Sequence, residues 1–135
     1  MHVREFDALD YEIIAQWWKG WGWPQVPLDC LPSGTALVVS DQDTKMPLAM
    51  GFLYTTETNI SWIEWITSNP TIEREKRIEA LNLLIRELVQ LSKRLKHTVV
   101  FTSMNPKKTP GLIAKMRDVG FVESDSGMTN LILRT

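Results

Sequence analysis

The stretch SNPTIEREKRIEALNLLI, Ser68 to Ile85, starts with a turn and continues as an amphipathic helix. Asn69 and Pro70 are typical of the turn that opens a helix. After them, apolar residues recur every three or four positions, at Ile78, Leu81, Leu84, Ile85, Leu88, Leu91 and Leu95. This spacing predicts one long helix over residues 72–96, whose apolar stripe packs on a sheet.

Two runs of β-prone residues flank the predicted helix. NISWIEWITS, residues 59–68, precedes it, and TVVFTS, residues 98–103, follows it. The second run is continuously apolar, which is typical of a strand buried on both faces. A right-handed crossover through the helix predicts that the two strands are parallel.

The residues before this unit predict a strand, a helix and a hairpin. HVREF, residues 2–6, is typical of a strand, and Asp7 then caps a helix that runs to Gly22. A loop with three prolines follows. TALVVS (35–40) and PLAMGFLYTT (47–56) are separated by turn residues and predict an antiparallel hairpin, which the next strand extends.

The C-terminal part predicts a helix and a closing hairpin. The helix covers residues 109–119 and ends at Gly120, a residue that favours helix C-termini. Residues 121–123 and 128–133 then form the hairpin around a turn at Gly127. The order of elements predicts an α+β fold, in which helices cover a sheet, built as a single domain over residues 1–135.

Composition excludes several classes of function. The chain has 15 basic and 16 acidic residues, so a net charge of -1 gives no field that would attract nucleic acid or a membrane. The N-terminus lacks the apolar region of a signal peptide, and we expect a cytoplasmic protein. Cys30 is the only cysteine, and with His2 and His97 it makes a poor metal set. We expect Cys30 to be a small packing residue and expect no metal site.

The whole layout resembles the GCN5-related N-acetyltransferases. VREFDALDYEIIAQWW is similar to their first strand and helix, PLAMGFLYTT to a strand with an internal glycine, and KMRDVGF to the last helix with its Gly-Phe pair. The resemblance implies a mixed, mostly antiparallel sheet with helices on both faces. It also implies an acyl-CoA-dependent N-acyltransferase, which moves an acetyl group from acetyl-CoA to the amine of a small molecule or a protein.

In this family acyl-CoA lies in a gap between the two central parallel strands. The resemblance therefore implies that backbone near Ile66, Thr67 and Ser68 pairs with the pantetheine arm, and that the pyrophosphate sits on the N-terminus of the following helix. Asn105 lies near the position of an asparagine that often contacts the CoA arm. The family has glycine in its pyrophosphate loop, because backbone must approach phosphate closely.

PTIEREKRIEAL aligns with that loop in two registers, and neither contains a glycine. In one register Lys76 and Ile78 replace the small residues, and in the other Arg77 and Glu79 do. Side chains could bind the phosphates instead, from Arg74, Lys76 and Arg77. The alternative is a helix start with a solvated charged face.

Glu64 is the matching candidate for the general base. Strand alternation places it on one face with Trp62 and Ile66, where apolar surroundings would raise its pKa. The alternative is a surface glutamate or one paired with an arginine. The family's usual proton donor is a tyrosine, and Met116 stands at its position, so the standard acid is missing.

Four of the six tryptophans cluster in QWWKGWGWP, where the first helix ends. In the family this region forms the wall of the acceptor site, so Trp18, Trp21 and Trp23, together with Trp62, are candidate substrate-binding residues. The alternative is that the clustered tryptophans seal a core. A second function follows from the missing glycines and from Met116: a catalytically inactive module that binds a protein or small ligand through its tryptophan-rich surface.

Overall fold

A computed structural model describes residues 1–135, in two compact units, residues 1–104 and residues 105–135. The expectation of a single domain over the whole chain stays a prediction. None of the helices combines the length and the apolar character that crossing a bilayer requires.

The first unit is built on a five-stranded sheet. The first four strands are antiparallel neighbours in sequence order, and the fifth is parallel to the fourth. The α+β class and the parallel pair are therefore confirmed. The strands are β1 (His2–Glu5), β2 (Ala36–Ser40), β3 (Pro47–Thr55), β4 (Ile60–Ser68) and β5 (Val99–Thr102).

Two helices cover the two faces of this sheet. α1 (Tyr11–Trp21) packs on one face, and α2 (Arg74–Arg94) packs on the other across β2, β3 and β4. Asp7 accepts a hydrogen bond from the Leu9 amide at 2.7 Å and caps the short 3₁₀ turn that leads into α1. Gly22 ends α1 with a φ of 75°, the left-handed conformation that favours glycine.

The α1 face holds an aromatic core in which Ile14, Trp17 and Trp18 pack against side chains of β2 and β3. The opposite face is packed so closely that Gly51 of β3 has no room for a side chain. A Cβ there would lie 2.9 Å from a Leu88 methyl carbon and 3.2 Å from one of Leu84. The glycine thus lets α2 approach the sheet.

β5 contains no fully buried residue, so the expectation of a strand buried on both faces is wrong. It pairs only with β4, and Val99 is 44% exposed. A continuous apolar run does not reveal whether a second neighbour is present.

The second unit contains α3 (Pro110–Val119), which ends at Gly120 with a φ of 119°, as predicted. The closing hairpin is absent, since residues 121–135 form neither helix nor strand. An isolated hairpin is marginal in water without a third strand or a helix to pack on. Here Phe121 is half-buried, and the other five apolar side chains of the segment are more than 70% exposed, at Val122, Met128, Leu131, Ile132 and Leu133.

Replacing Gly51 with alanine should destabilise the protein by about 1–3 kcal/mol, because the two leucines of α2 must shift to admit a methyl group. Urea denaturation measures the free energy of unfolding. Gly111→Ala is the control, since nothing lies within 4 Å of a Cβ at that position. Equal stability of the two variants would contradict close packing of α2 on β3.

Candidate functional site

The parallel pair β4 and β5 separates halfway along β4. Pairing runs from Ile60 opposite Val99 to Ile63 opposite Thr102, where the Thr102 hydroxyl donates to the Ile63 carbonyl at 2.8 Å. Residues 64–68 of β4 continue beyond this point and pair only with β3. One edge of this segment, here called the open edge, therefore lacks a partner strand.

A β-bulge lies at the start of the open edge. Trp65 and Ile66 of β4 together face the single residue Gly51 of β3. Trp65 has a φ of 57°, in the left-handed region that a tryptophan rarely adopts. Such backbone strain costs about 1–3 kcal/mol and clusters at functional sites, as bulges do.

The bulge changes which side chains share a face. The indole N–H of Trp62 donates to a carboxylate oxygen of Glu64 at 2.6 Å, so those two lie together as predicted. Ile66 lies on the opposite face, beside Gly51 and the leucines of α2. The predicted alternation is wrong at Ile66 because the extra residue of the bulge reverses it.

Glu64 is half-buried on the face away from α2. Burial raises its pKa, and the hydrogen bond from Trp62 offsets part of that rise. Glu64 takes part in none of the ion pairs of the protein. The alternative of an arginine-paired glutamate is therefore excluded, and a carboxylate in this setting is suited to accept a proton from an amine.

Sequence reasoning missed Tyr54 and Trp65, which lie next to Glu64 in the sheet. The Trp65 indole donates to the Tyr54 hydroxyl at 2.8 Å, and that hydroxyl donates to the carbonyl of Cys30 at 2.7 Å. Burial, together with the negative charge of Glu64, raises the pKa of Tyr54. Alternation on β3 could have found Tyr54, but no sequence signal locates a bulge.

Cys30 is exposed, so the expectation of a packing residue is wrong.

Trp18 is a core residue and not the wall of a pocket. It is 1% exposed, and its indole donates to the Thr67 hydroxyl at 3.0 Å. The prediction that Trp18 binds substrate is wrong, because the Trp18 side chain is buried and a ligand could not touch it. Trp21 and Trp23 are half-buried and stack on each other, with ring centroids 5.8 Å apart.

Trp21 contacts the open edge itself. Its indole N–H donates to the Ser68 carbonyl at 2.8 Å. Because the amide of Asn69 points to β3, where it donates to Leu48, the carbonyl of Ser68 points the other way. The ring of Trp21 also lies 5.3 Å from the guanidinium carbon of Arg77, at the start of α2. Trp21 thus covers the junction of β4 and α2.

The three basic residues of this junction differ in their partners. Lys76 forms an ion pair with Asp41, whose pKa it holds well below the usual range. Arg77 lies on the Trp21 ring and is 3.5 Å from the Ile72 carbonyl. Arg74 is exposed and forms no ion pair, so it alone is available to an anion.

The first turn of α2 also has unused hydrogen-bond donors. Glu73 precedes the helix in an extended conformation, and its side chain does not cap the helix. The first N–H groups therefore face solvent with the positive end of the helix dipole behind them. Ile78, a candidate from the motif alignment, is half-buried one turn farther on.

The remaining candidates lie in the second unit. The side-chain oxygen of Asn105 accepts from the Lys107 amide at 2.9 Å, and its carbonyl accepts from Thr109, so Asn105 builds the turn before α3. Met116 of α3 is buried. No cluster of three or more potential metal ligands occurs in the protein.

No family model matches the sequence, and a sequence comparison with curated proteins found no match. Solved structures are similar in fold. An acetyltransferase of Trypanosoma brucei superposes with a TM-score of 0.67 at 16% identity, covering 97% of this chain and 99% of that one. The ribosomal-protein-S18-alanine N-acetyltransferase of Escherichia coli gives a TM-score of 0.73 at 12% identity, covering 92% and 79%. The chain has the GCN5-related N-acetyltransferase fold.

A third structure with this fold was solved with CoA. It is the Rv2747 protein of Mycobacterium tuberculosis, with a TM-score of 0.65, 14% identity, and coverage of 96% of this chain and 76% of that one. These likenesses confirm the resemblance inferred from the layout at the level of fold.

The raised pKa of Glu64 predicts a distinct effect of pH on stability. A carboxyl whose pKa is higher in the folded than in the unfolded protein binds its proton more tightly in the folded state. Binding of that proton stabilises the folded protein, and this stabilisation is lost as pH rises. Wild type should therefore lose stability relative to Glu64→Gln as pH rises from 4.5, the ordinary pKa of a glutamate carboxyl, through the raised pKa of the folded state. Urea denaturation at several pH values measures this difference.

The exposed turn residue Glu57 provides the control, as Glu57→Gln. We expect the stability of the control to follow the wild-type pH dependence. If the stability of Glu64→Gln followed it equally closely, Glu64 would not be desolvated.

Proposed function

We propose that the protein is an acyl-CoA-dependent N-acyltransferase that uses acetyl-CoA and an amine acceptor. The observation that carries the proposal is a half-buried Glu64 without an ionic partner, next to a bulge at the start of the open edge of β4. The structures of similar fold include acetyltransferases and one protein solved with CoA, which supports the reaction class.

The open edge is suited to an extended acyl-CoA arm. Backbone groups on this edge lack a partner strand, so a pantetheine arm near Ile66, Thr67 and Ser68 could pair with them. The uncapped first turn of α2 follows the end of β4, so it would lie next to the pyrophosphate end of the arm. Arg74 is free to contact a phosphate there. These features support the binding of a pyrophosphate by side chains and helix N–H groups, without the glycine loop of the family.

The proposed chemistry needs few protein groups. Glu64 accepts one proton from the ammonium and frees the lone pair of the nitrogen. The nitrogen forms a bond to the acyl carbon, and the C–S bond breaks. The electron pair of the C–S bond leaves on sulfur. The second nitrogen proton, made acidic by the new bond, passes to the sulfur directly or through water. The products are an amide and CoA thiol, and Glu64 returns its proton to solvent.

A second function is favoured by the contacts of Trp21, Lys76 and Arg77. All three have partners within the protein, and Trp21 already bonds the Ser68 carbonyl that the arm would need. A catalytically inactive module of this fold, which binds a protein or small ligand through Trp21 and Trp23, is the alternative. The two functions differ in whether acetyl-CoA binds at the junction of β4 and α2.

Calorimetric titration with acetyl-CoA tests the first function. We expect saturable one-to-one binding, weakened about tenfold to a hundredfold by Arg74→Ala, since a charge-assisted phosphate contact is worth about 1.5–3 kcal/mol. Arg86→Ala is the matched control, because this exposed arginine lies on the same helix about 18 Å farther along. Absence of binding to wild type at millimolar acetyl-CoA would reject the acyltransferase and leave the binding module.

Trp21 should compete with the ligand for the Ser68 carbonyl. Trp21→Leu removes the indole N–H, and we expect acetyl-CoA to bind about fivefold more tightly, equivalent to one hydrogen bond of about 1 kcal/mol. Trp23→Leu is the control, since it leaves the bond between Trp21 and Ser68 in place. Weaker binding by the Trp21 variant would mean that the indole belongs to the ligand site and does not obstruct it.

A further inference from the structure

Glu64 is a half-buried carboxylate whose charge no cation of the protein balances. One of its oxygens accepts the Trp62 indole N–H at 2.6 Å. The ion pairs of the protein join Arg4 with Asp10, Lys76 with Asp41, and Arg117 with Glu123, so none reaches this group. The site therefore carries a negative charge that a ligand could neutralise.

Aromatic rings surround this carboxylate. Trp62 is opposite Tyr54 in the pairing of β3 and β4, and Tyr54 accepts a hydrogen bond from Trp65. Trp62 is held from the side by Phe101 of β5, with ring centroids 5.5 Å apart and planes 24° from parallel. Trp65 is 41% exposed, so the group opens to solvent.

The polar edges of these rings are already used. The indoles of Trp62 and Trp65 donate to Glu64 and Tyr54, and the Tyr54 hydroxyl donates to the Cys30 carbonyl. The Glu64 carboxylate also has the Trp65 backbone N–H as a donor. A carboxylate can accept about four hydrogen bonds, so a ligand can still use its remaining lone pairs, together with the ring faces, which carry partial negative charge. Both attract a cation, and the ring faces also favour an apolar body.

We infer that Glu64, Tyr54, Trp62 and Trp65 bind the acceptor as a singly charged primary ammonium ion on an aromatic or alkyl body. This inference rests on the proposed function and names the acceptor class for it. The ammonium contacts the Glu64 carboxylate through its remaining lone pairs, and the apolar body lies on the exposed face of Trp65. An acceptor with a carboxylate beside its amine is disfavoured, because it would meet Glu64 with like charge.

The test measures amine binding in the absence of acyl-CoA, so that it does not depend on catalysis. The probe is 2-phenylethylamine, followed by calorimetry and by saturation-transfer NMR. The matched probe is 3-phenylpropionate, which keeps the ring and reverses the charge. We expect the amine to bind and the carboxylate not to bind.

Three variants separate the contributions of the site. Glu64→Gln keeps an acceptor for the Trp62 indole, and we expect it to weaken amine binding tenfold or more, as loss of a charge-assisted bond does. Trp65→Leu should weaken binding several-fold and Trp65→Phe less, since cation–π contacts depend on the ring face. Circular dichroism of each variant establishes that it is folded.

Undetectable binding of 2-phenylethylamine to wild type would overturn the inference, as would equal binding of 3-phenylpropionate or no effect of Glu64→Gln. Acetyl transfer to the bound amine, followed through release of CoA thiol, is measured separately. Binding of the amine without transfer would contradict the proposed acyltransferase and still support the ammonium site.

Discussion

The separation of β4 from β5 is the constraint on which the rest of the site depends. β4 is paired on both edges only as far as Ile63, and its remaining residues keep β3 alone as a partner. Unpaired backbone at the edge of a strand is a template for another extended chain. The bulge at Trp65 lies at this point, directly after Glu64, and the Trp65 indole reaches the Tyr54 hydroxyl. A backbone discontinuity therefore places the carboxylate, the aromatic rings and the open edge together.

The junction of β4 and α2, at the far end of the open edge, contains no glycine and is held by contacts within the protein. The helix start of α2 has free N–H groups, but two of its three basic side chains already have partners. Lys76 ties α2 to the turn after β2, and Arg77 supports the Trp21 ring. Trp21 in turn fills a hydrogen-bonding position on β4. Internal contacts thus stabilise the junction of β4 and α2.

Sequence reasoning predicted most of the fold, because the helix α2 and the parallel strands around it have strong periodic patterns. It failed where the outcome depends on distant neighbours. TVVFTS has the pattern of a strand buried on both faces, yet Val99 of β5 is 44% exposed, and residues 121–135 form neither helix nor strand. Trp18 is a candidate ligand contact only through the family resemblance, whereas the structure buries it, with its indole donating to Thr67, which is far away in sequence.

The candidate site was predictable only in part, because local patterns do not show contacts between residues that are far apart in sequence. Glu64 and Trp62 share a face because they are two residues apart on a strand, which alternation predicts. Ile66 leaves that face, and Trp65 reaches Tyr54, because of a bulge that no local pattern reveals. Ion pairs such as Lys76 with Asp41 join residues far apart in sequence, so the availability of each basic residue could be known only from the structure.

The most direct measurement is a titration of ¹⁵N-labelled protein with acetyl-CoA, followed in ¹H–¹⁵N NMR spectra. If acyl-CoA occupies the open edge, the amides of residues 64–68 and the indole N–H of Trp21 should shift together and saturate at one equivalent. The amides of β1 and β2 should stay in place. Shifts confined to exposed lysines, or an unchanged Trp21 indole at saturation, would contradict the account.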